Sequence, residues 1–243
     1  MKFKVASINI GRLKQDYENN LKILDNLLRD SRPDILLFQE YIADECLSGH
    51  VFDACGLRCS YFKEFSESHV ADGEKMGIAV FSRDKIVEKA VYKLFKPDIC
   101  FYYNGKPEYL HDKYFVSLLA EINGKEVKII TGHGHSFHRY KVDPADFIEI
   151  YTDLDAWICG QVEDKHTLIL GDFNLQSIDI LPKLNEGFKD IFAGFATRPN
   201  GRKTDYILIP KENGYSDVLS IKCGSYNPDI GFDHNFLVAN IEI

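Results

Sequence analysis

The chain has 243 residues, of which 45% are hydrophobic and 27% charged, and its 37 acidic and 29 basic side chains give a formal net charge of −8. This composition is typical of a soluble globular protein with a well-buried core. The acidic excess argues against a protein that slides along nucleic acid on a net-positive face, but it leaves room for a small anionic substrate in a locally basic or metal-charged cleft. The sequence contains no run of about 18 apolar residues, so we expect no membrane span.

Six cysteines are scattered along the chain without a C-x-x-C pair. This pattern favours reduced, mostly buried thiols in a cytoplasmic protein, with a disulfide framework as the lesser alternative. The N-terminal segment M-K-F-K-V-A-S-I-N-I is too short and too polar for a signal peptide, which agrees with the expected cytoplasmic location.

The first forty residues predict a strand, a helix and a second strand. Loose alternation of apolar residues indicates a strand over 2–10. Apolar side chains then recur at helical spacing from Tyr17 to Leu28, and Pro33 follows as a helix stop. Residues 35–38 form a short apolar run that leads directly into polar residues. Polar residues therefore lie at the end of both predicted strands.

The rest of the chain predicts further strands, one strong hairpin and a second helix. Asn123-Gly124 separates apolar stretches at 114–122 and 126–131, and this dipeptide favours a type I′ hairpin turn because both positions need φ > 0. Apolar spacing predicts a helix over 144–159. Since no linker, repeat or low-complexity tract interrupts the sequence, we expect one domain over 1–243, with two sheets face to face and helices outside them. The remaining predicted strands are 77–82, 167–171, 205–209, 216–221 and 235–242.

Polar residues next to apolar strands are the candidates for chemistry. Each alone has a structural explanation, such as capping a turn or contacting solvent. Seven such positions, distributed from one terminus to the other, are harder to explain that way. Asp172 and Asn174 flank Phe173, so on a regular strand their side chains would share one face. The positions are Asn9, Gln39-Glu40, His133, Asp172, Asn174, Asp205 and Asp233-His234.

Five short motifs occur in order along the chain: I-N at 8–9, F-Q-E at 38–40, G-D-F-N at 171–174, T-D-Y-I-L at 204–208 and D-H-N at 233–235. With these motifs the chain resembles the endonuclease/exonuclease/phosphatase superfamily, which includes pancreatic-type deoxyribonucleases, AP endonucleases, inositol-polyphosphate 5-phosphatases and neutral sphingomyelinases. Order and spacing match across essentially the whole chain, which makes the resemblance specific although each motif alone is weak. It implies an α/β fold, a four-layer α-β-β-α sandwich with two mostly antiparallel sheets packed face to face and the site where the sheets open.

The resemblance also implies a Mg²⁺ site. In the family the glutamate of the Q-E motif is a Mg²⁺ ligand, and here that residue is Glu40. Asn9 and Asp233 occupy positions that help to hold the metal and its waters. These residue types suit the ion, because Mg²⁺ prefers hard oxygen ligands and keeps several waters. Mn²⁺ could substitute for it.

The other motif residues correspond to catalytic groups of the family. Asp172 matches the aspartate that positions or deprotonates the attacking water, and Asn174 matches the amide that steadies the water and the phosphate. His234 matches the histidine that contacts phosphate or acts as acid or base, and Asp205 matches its aspartate partner. His133 falls where many members have a second histidine on the phosphate. An aspartate behind a histidine fixes its tautomer and favours imidazolium, which suits phosphate binding or proton donation.

The chain departs from the family pattern at three places. Ile8 stands where a tryptophan is common and Phe232 where a serine is usual, but the polar atoms expected to perform the chemistry remain. A glutamate partners the second histidine in deoxyribonuclease-like members, and Glu74 is a weak match for it. The second histidine lies in the run T-G-H-G-H-S-F-H, where His133 is preferred to the later histidines because it is closest to the end of the preceding strand.

We therefore expect a Mg²⁺-dependent hydrolase of phosphoester bonds, a phosphodiesterase (nuclease) or phosphatase in which a metal-assisted water attacks phosphorus. Its substrate is expected to be a nucleic acid or a small organophosphate, and the protein a monomer. One alternative is a catalytically inactive binding module of the same fold, since fold alone does not imply activity. Another is a dinuclear-zinc hydrolase, because H-x-H-x-x-H at 133–138 resembles the metallo-β-lactamase motif, although Phe137 replaces the aspartate of that motif.

Two basic segments and one aromatic segment are candidates for substrate binding. R-P-N-G-R-K at 198–203 and H-R-Y-K at 138–141 could face a phosphate, or could form solvated loops, which is slightly favoured. Phe101-Tyr102-Tyr103, followed by Asn104-Gly105 and Tyr109, could stack on a base or sugar, or could pack a hairpin, which is the stronger expectation. The sequence leaves both alternatives open.

Overall fold

Two six-stranded sheets and a separate two-stranded hairpin form the β-structure of the protein, in a computed structural model that describes residues 1–68, 71–162, 166–223 and 231–243. The strands are, in chain order, β1 (Lys2–Asn9), β2 (Ile35–Ile42), β3 (Arg58–Glu67), β4 (Lys75–Ser82), β5 (Ile86–Lys93), β6 (Cys100–Tyr103), β7 (Lys106–Tyr109), β8 (Tyr114–Ile122), β9 (Lys125–His133), β10 (Thr167–Asp172), β11 (Phe188–Asp190), β12 (Asp205–Pro210), β13 (Gly214–Ile221) and β14 (Phe236–Glu242).

Each large sheet has one parallel pair of strands at its centre. The first sheet has the order β13-β14-β1-β2-β4-β3, and the second has the order β11-β12-β10-β9-β8-β5. The parallel pairs are β1 with β2 and β9 with β10. The other neighbouring strands of both sheets are antiparallel, so the expected two mostly antiparallel sheets are confirmed.

Four helices cover the outer faces of the two sheets. Leu24 and Val51 on the first two helices join the core on the outer face of the first sheet. Leu154 and Leu184 on the last two join the core on the outer face of the second sheet. In the described ranges, none of these helices combines the length and the apolar character that a membrane crossing requires. The helices are α1 (Tyr17–Ser31), α2 (Glu45–Cys55), α3 (Ile148–Gln161) and α4 (Pro182–Gly187).

Alternation along the central strands separates the core between the sheets from the cores under the helices. Val5, Leu37 and Leu170 belong to the core between the sheets. Their strand neighbours Leu36 and Ile169 belong to the outer cores, because successive strand residues point to opposite faces. The layers therefore run helix, sheet, sheet, helix, as the resemblance implied.

Several elements agree with the predictions from sequence. The first predicted helix ends at Ser31, where Arg32 has a left-handed φ of 44°. Asn123 and Gly124 have φ of 52° and 75°, as a type I′ hairpin turn requires. The helix predicted over 144–159 begins with a 3₁₀ turn at Pro144–Phe147 and continues as α3.

Other elements were not predicted, and their sequences explain why. β3 is an edge strand with mostly exposed or half-buried residues, so it has no clear apolar alternation. α2 buries only Leu47, Val51 and Ala54, which gives a weak helical pattern. β2 was predicted to end at Phe38 but continues to Ile42 past a bulge.

The centre of each sheet positions the site. The parallel strands β1 and β2 end at the same edge of the first sheet, and β9 and β10 end at the same edge of the second. Both β1 and β2 pack against β10 across the core between the sheets. Side chains at the carboxyl ends of these four strands are therefore brought together.

Candidate active site

A cavity of about 420 Å³, here called the cleft, opens at the carboxyl ends of the two parallel strand pairs. Asp205 lies behind the cleft, next to His234. The other predicted site residues, which come from both sheets and from the segment before β14, line one cavity. They are Asn9, Glu40, His133, Asp172, Asn174, Asp233 and His234.

Glu40 reaches the cleft through a distortion of β2. The register of β2 shifts between Gln39 and Tyr41, and Glu40 has a left-handed φ of 54°. Such a conformation is costly for a residue with a side chain, and it is typical of functional sites. The Glu40 side chain is 14% exposed. The bulge thus holds a carboxylate at the cleft surface instead of in the sheet.

Gly11 makes room for the Glu40 carboxylate beside Asn9. A Cβ atom on Gly11 would lie 2.0 Å from Oε2 of Glu40 and 3.3 Å from Oδ1 of Asn9. The Gly11 N–H also donates a hydrogen bond to that Oδ1 atom, at 2.9 Å. Two oxygen atoms therefore converge above a glycine, and hard oxygen donors of this kind are those that Mg²⁺ prefers.

Asp172 and Asn174 share the cleft, but not for the reason predicted from strand alternation. β10 ends at Asp172, and Asn174 has a left-handed φ of 55°. The Asn174 N–H donates to Oδ1 of Asp172 at 3.0 Å, and its Nδ2 donates to the Gly134 carbonyl at 3.1 Å. Phe173 is buried between them and contacts the rings of other core aromatics. A tight turn beyond the strand, rather than a regular strand, places both side chains together.

Asp172 is a buried carboxylate with several polar neighbours. Its Oδ2 accepts a hydrogen bond from Nδ2 of Asn9 at 3.1 Å and lies 3.5 Å from Nε2 of His133 and 3.6 Å from Nε2 of His234. Burial and the negative charge of Asp205 raise the pKa of Asp172 to about 6. A carboxylate with a raised pKa is a better proton acceptor than an ordinary aspartate.

Asp205 and His234 form a buried pair behind Asp172. Nδ1 of His234 lies 3.0 Å from both carboxylate oxygens of Asp205, so Nδ1–H donates to them. The Thr204 hydroxyl donates to the same carboxylate at 3.0 Å. Burial alone would lower the pKa of His234, but Asp205 and Asp172 raise it to about 9. These two carboxylates favour the protonated ring, and Nε2 of His234 lies 3.6 Å from Oδ2 of Asp172.

Asp172, Asp205 and His234 also have potential ligand atoms within 4.8 Å of one another. This spacing alone would suit a metal ion. An imidazolium, however, has no lone pair for a metal, and Asp205 is already hydrogen-bonded to it. The expectation of a cation at Glu40 and Asn9, and of a catalytic role for this cluster, stays a prediction.

Asp233, expected to help hold the metal, forms ion pairs with two arginines. Its Oδ1 lies 3.5 Å from Nε of Arg12, and its Oδ2 accepts from Nη2 of Arg198. Burial alone would raise the pKa of Asp233, but His234, Arg198 and Arg12 lower it below its usual range. Its role at a metal stays a prediction, and in this structure it orients two cations at the cleft.

Four arginines line the cleft of this acidic protein. Arg198, Arg202 and Arg139 come from the two basic segments, and both alternatives for these segments, a phosphate contact or a solvated loop, stay predictions. Arg12 was not identified from the sequence, although it follows Asn9 by three residues. The guanidinium groups make the cleft locally basic, which suits an anionic substrate.

Lys113 is a second feature that the sequence did not indicate. It is buried, and its Nζ lies 3.0 Å from Nδ1 of His133 and 4.7 Å from the centre of the Phe65 ring. Burial lowers its pKa, although Glu40 and Asp172 act in the opposite direction. No sequence signal marked it, because it precedes β8 in a short stretch without a motif.

The three histidines of the T-G-H-G-H-S-F-H run have different surroundings. His133 and His138 line the cleft, whereas Nε2 of His135 bonds to the Phe95 carbonyl at 2.9 Å. Burial lowers the pKa of both His135 and His138 to about 4. Among the described residues the run forms no metal-ligand cluster, which removes support for the dinuclear-zinc hypothesis. Glu74 is exposed, so its pairing with His133 stays a prediction.

The aromatic segment packs a hairpin and also reaches the cleft. Phe101 stacks on Tyr140 with ring centres 4.6 Å apart, which anchors the β6–β7 hairpin as expected. Tyr103 lines the cleft, where the guanidinium of Arg139 lies 4.2 Å from its ring centre. Tyr102 is 70% exposed. Only part of this segment is therefore placed to meet a substrate.

Comparison with solved structures finds the same fold in several proteins. An endonuclease/exonuclease/phosphatase from Beutenbergia cavernae has a TM-score of 0.72 at 14% identity, over 100% of this chain and 72% of that chain. The human Nocturnin catalytic domain, solved with a bound sulfate anion, has a TM-score of 0.65 at 16% identity, over 99% and 93%. Truncated Caenorhabditis elegans TDP2 has a TM-score of 0.62 at 15% identity, over 100% and 98%. At such identities the likeness shows the fold alone.

Comparison of the sequence with curated proteins and with protein-family models identifies the family. None of the curated proteins matches the sequence. The model of the Endonuclease/Exonuclease/phosphatase family matches residues 6–218, which include four of the five motifs and most of the cleft. The chain therefore belongs to the Endonuclease/Exonuclease/phosphatase family.

Proposed function

We propose that this protein is a Mg²⁺-dependent phosphoesterase, a phosphodiesterase (nuclease) or phosphatase that directs water at phosphorus. One observation supports the proposal above all others. Asp172, backed by the His234–Asp205 pair, shares a single arginine-lined cleft with the oxygen atoms of Glu40 and Asn9. The arrangement combines a proton acceptor, a proton donor, cations for a phosphate and oxygen donors for a metal.

The residues around Gly11 fit a divalent cation. Glu40 and Asn9 would hold Mg²⁺, and Asp233 would be a third ligand if its arginines released it. A bound Mg²⁺ would neutralise charge on a phosphoryl oxygen and orient the phosphate for attack. Mn²⁺ would be expected to substitute, because it accepts the same oxygen ligands.

The arginines of the cleft are suited to bind the phosphate. Arg12 and Arg198 are held in place by Asp233, so their guanidinium groups are oriented before substrate arrives. Arginine can donate two parallel hydrogen bonds to phosphate oxygens.

Asp172 would accept a proton from the attacking water. Its raised pKa and its position among the cleft residues suit that role. Asn174 would steady the water and the phosphate, since its backbone is fixed against Asp172. His133, beside the same carboxylate, would contact a phosphoryl oxygen.

His234 would donate a proton to the leaving oxygen or a hydrogen bond to the phosphate. Asp205 keeps the ring protonated and fixes Nδ1–H, so that Nε2–H remains the group available to the cleft. Asp205 is thus a positioning residue, whereas His234 touches the substrate.

The substrate is proposed to be a nucleic acid or a small organophosphate. The local basic charge of the cleft supports an anionic substrate despite the net charge of −8. All six cysteines have free thiols, which supports a cytoplasmic location. A monomer remains the expected oligomeric state.

A hydrolysis panel tests the proposal. The panel holds bis-p-nitrophenyl phosphate, p-nitrophenyl phosphate, plasmid DNA, an abasic duplex, single-stranded RNA and an inositol polyphosphate, each with Mg²⁺, Mn²⁺ or EDTA. We expect metal-dependent cleavage of at least one member and its loss in Asp172→Asn. Cleavage that persists in EDTA or in Asp172→Asn would contradict the mechanism, and absence of all cleavage would favour the inactive binding module.

A further inference from the structure

A second cavity, of about 590 Å³, adjoins the cleft. His138, Asn174 and Arg202 line both cavities, so the two spaces meet at these side chains. Asn174 is the amide next to Asp172, the proposed proton acceptor. A group in the second cavity would therefore lie beside the reacting centre.

The second cavity differs from the cleft in chemical character. Charged and polar side chains dominate the cleft, whereas Val142, Pro144, Leu175 and Ile180 form an apolar wall in the second cavity. Lys141 and Asp143 add one positive and one negative charge to this lining. Apolar walls with a few polar groups are typical of sites for organic ligands. The second cavity thus suits the organic part of a molecule whose phosphate lies in the cleft.

Hydrogen bonds hold the walls of this cavity in place. The Tyr206 hydroxyl donates to the Leu175 carbonyl at 3.0 Å, and both residues are buried. On the facing segment, Oδ1 of Asp143 accepts from the Ala145 N–H at 2.9 Å and caps a 3₁₀ turn. A pocket whose walls are already fixed loses little entropy when it binds a ligand.

We infer that the second cavity binds an uncharged organic group of about nucleoside size, esterified to the phosphate in the cleft. The inference rests on the proposed phosphoesterase function and deepens it. A volume of about 590 Å³ suits one such group rather than a stretch of duplex. Val142, Leu175 and Ile180 are then specificity-determining contacts. The group could come from a small nucleotide ester or from one nucleotide of a strand, and both are included in the test.

A cavity-filling variant and a matched control test the inference. Ala145 is exposed and lines the second cavity, so Ala145→Trp fills the space without changing the buried core. Ala43 is also exposed and lines neither cavity, which makes Ala43→Trp the control. The substrates are thymidine 5′-p-nitrophenyl phosphate and methyl p-nitrophenyl phosphate, which share a leaving group.

The wild-type protein is expected to favour the thymidine ester by at least about tenfold in kcat/KM. Ala145→Trp should raise KM for the thymidine ester by about tenfold or more and leave kcat/KM for the methyl ester within about twofold, and Ala43→Trp should change neither. Equal effects on the two esters, or none, would overturn the inference. A thymidine dinucleotide and a thymidine oligonucleotide, compared in the same way, distinguish a small ester from a strand.

A binding experiment separates this inference from the proposed function. Calorimetric titration of metal-loaded Asp172→Asn with thymidine 5′-monophosphate and with inorganic phosphate needs no turnover. We expect the nucleotide to bind about tenfold more tightly than inorganic phosphate, and this preference to disappear when Ala145→Trp is added. That result would support binding in the second cavity even if neither ester were hydrolysed. In that case only the proposed function would fail. Equal affinity for the two ligands, with both esters hydrolysed, would overturn the second cavity and leave the phosphoesterase intact.

Discussion

The two parallel strand pairs have the same topology but hold different chemistry. At the ends of β1 and β2, Asn9 and Glu40 present oxygen atoms, and the Glu40 side chain keeps 14% of its surface exposed. At the ends of β9 and β10, the side chains of His133 and Asp172 are each only 1% exposed. On the first side the Glu40 carboxylate keeps contact with solvent, whereas Asn9 beside it is buried. On the second side, burial raises the pKa of Asp172.

The comparison shows that burial, rather than residue type, separates the proposed roles. Glu40 and Asp172 are both carboxylates at strand ends. Glu40 stands on a bulge at the cleft surface, whereas Asp172 is enclosed by Asn9, two histidines and Asp205. A hard cation needs exposed oxygen, and a proton acceptor benefits from desolvation.

The largest expected effect comes from Asp172→Asn, which removes the proposed proton acceptor at the end of β10. We expect turnover to fall by about 10²–10⁴-fold, because the amide cannot accept the proton of the water. The loss is measured from steady-state rates on the preferred substrate of the panel. Circular dichroism verifies that the variant is folded. Near-wild-type turnover would show that Asp172 does not accept the proton of the water.

Asp205→Asn tests whether the Asp205 carboxylate controls the charge of His234. Without the Asp205 carboxylate, the pKa of His234 should fall below its wild-type value of about 9, and kcat should fall by about 10²-fold. NMR titration of the His234 ring gives the pKa directly. The same substitution at Asp190, which pairs with Lys203 away from the cleft, is the control. An unchanged His234 titration would mean that Asp205 has only a structural role.

Glu40→Gln tests the proposed cation site formed by Glu40 and Asn9. We expect the Mg²⁺ concentration for half-maximal activity to rise by at least about tenfold, with a smaller loss of kcat at saturating metal. Gly11→Ala should act in the same direction, because its Cβ would displace the Glu40 carboxylate. Glu126→Gln, an exposed glutamate in β9, is the matched control. Unchanged metal dependence in both variants would move the cation elsewhere.

A further expected effect concerns stability rather than turnover, and involves the buried side of the second sheet. The pKa of His135 is about 4 in the folded protein, against 6.5 ordinarily. Between these values the unfolded chain binds a proton that the folded protein does not, so the free energy of unfolding should fall as pH drops from 6.5 to 4. His135 alone should contribute about 3 kcal/mol to this loss.

Urea unfolding as a function of pH measures this loss. In His135→Gln the decrease between pH 6.5 and 4 should be correspondingly smaller, whereas substitution of the half-buried His50 should leave it in place. An identical pH dependence in wild type and His135→Gln would show that His135 is not the group responsible.

Sequence patterns predicted much of the fold and seven of the residues that line the cleft, because their physical causes are local. Apolar alternation, helical spacing and the Asn-Gly turn depend on neighbouring residues. The positions of polar residues next to strand ends follow from the same patterns. Arg12 and Lys113 escaped prediction because nothing near them in the sequence distinguishes them from ordinary surface charges.

Other features depend on contacts between distant segments. Asn9 meets Asp172 across 163 positions of sequence, and His234 meets Asp205 across 29. Strand alternation predicted that Asp172 and Asn174 share a face, but a left-handed turn is the actual cause.

By itself the sequence determined the central strands of both sheets, the helices α1 and α3, and the residue types available near the strand ends. Only the tertiary structure decided which histidines of the run line the cleft, which carboxylate is buried, and that a partly apolar cavity adjoins Asn174. The physical reason is that local backbone preferences act over a few residues. Desolvation, charge proximity and cavity shape arise where both sheets and several loops meet.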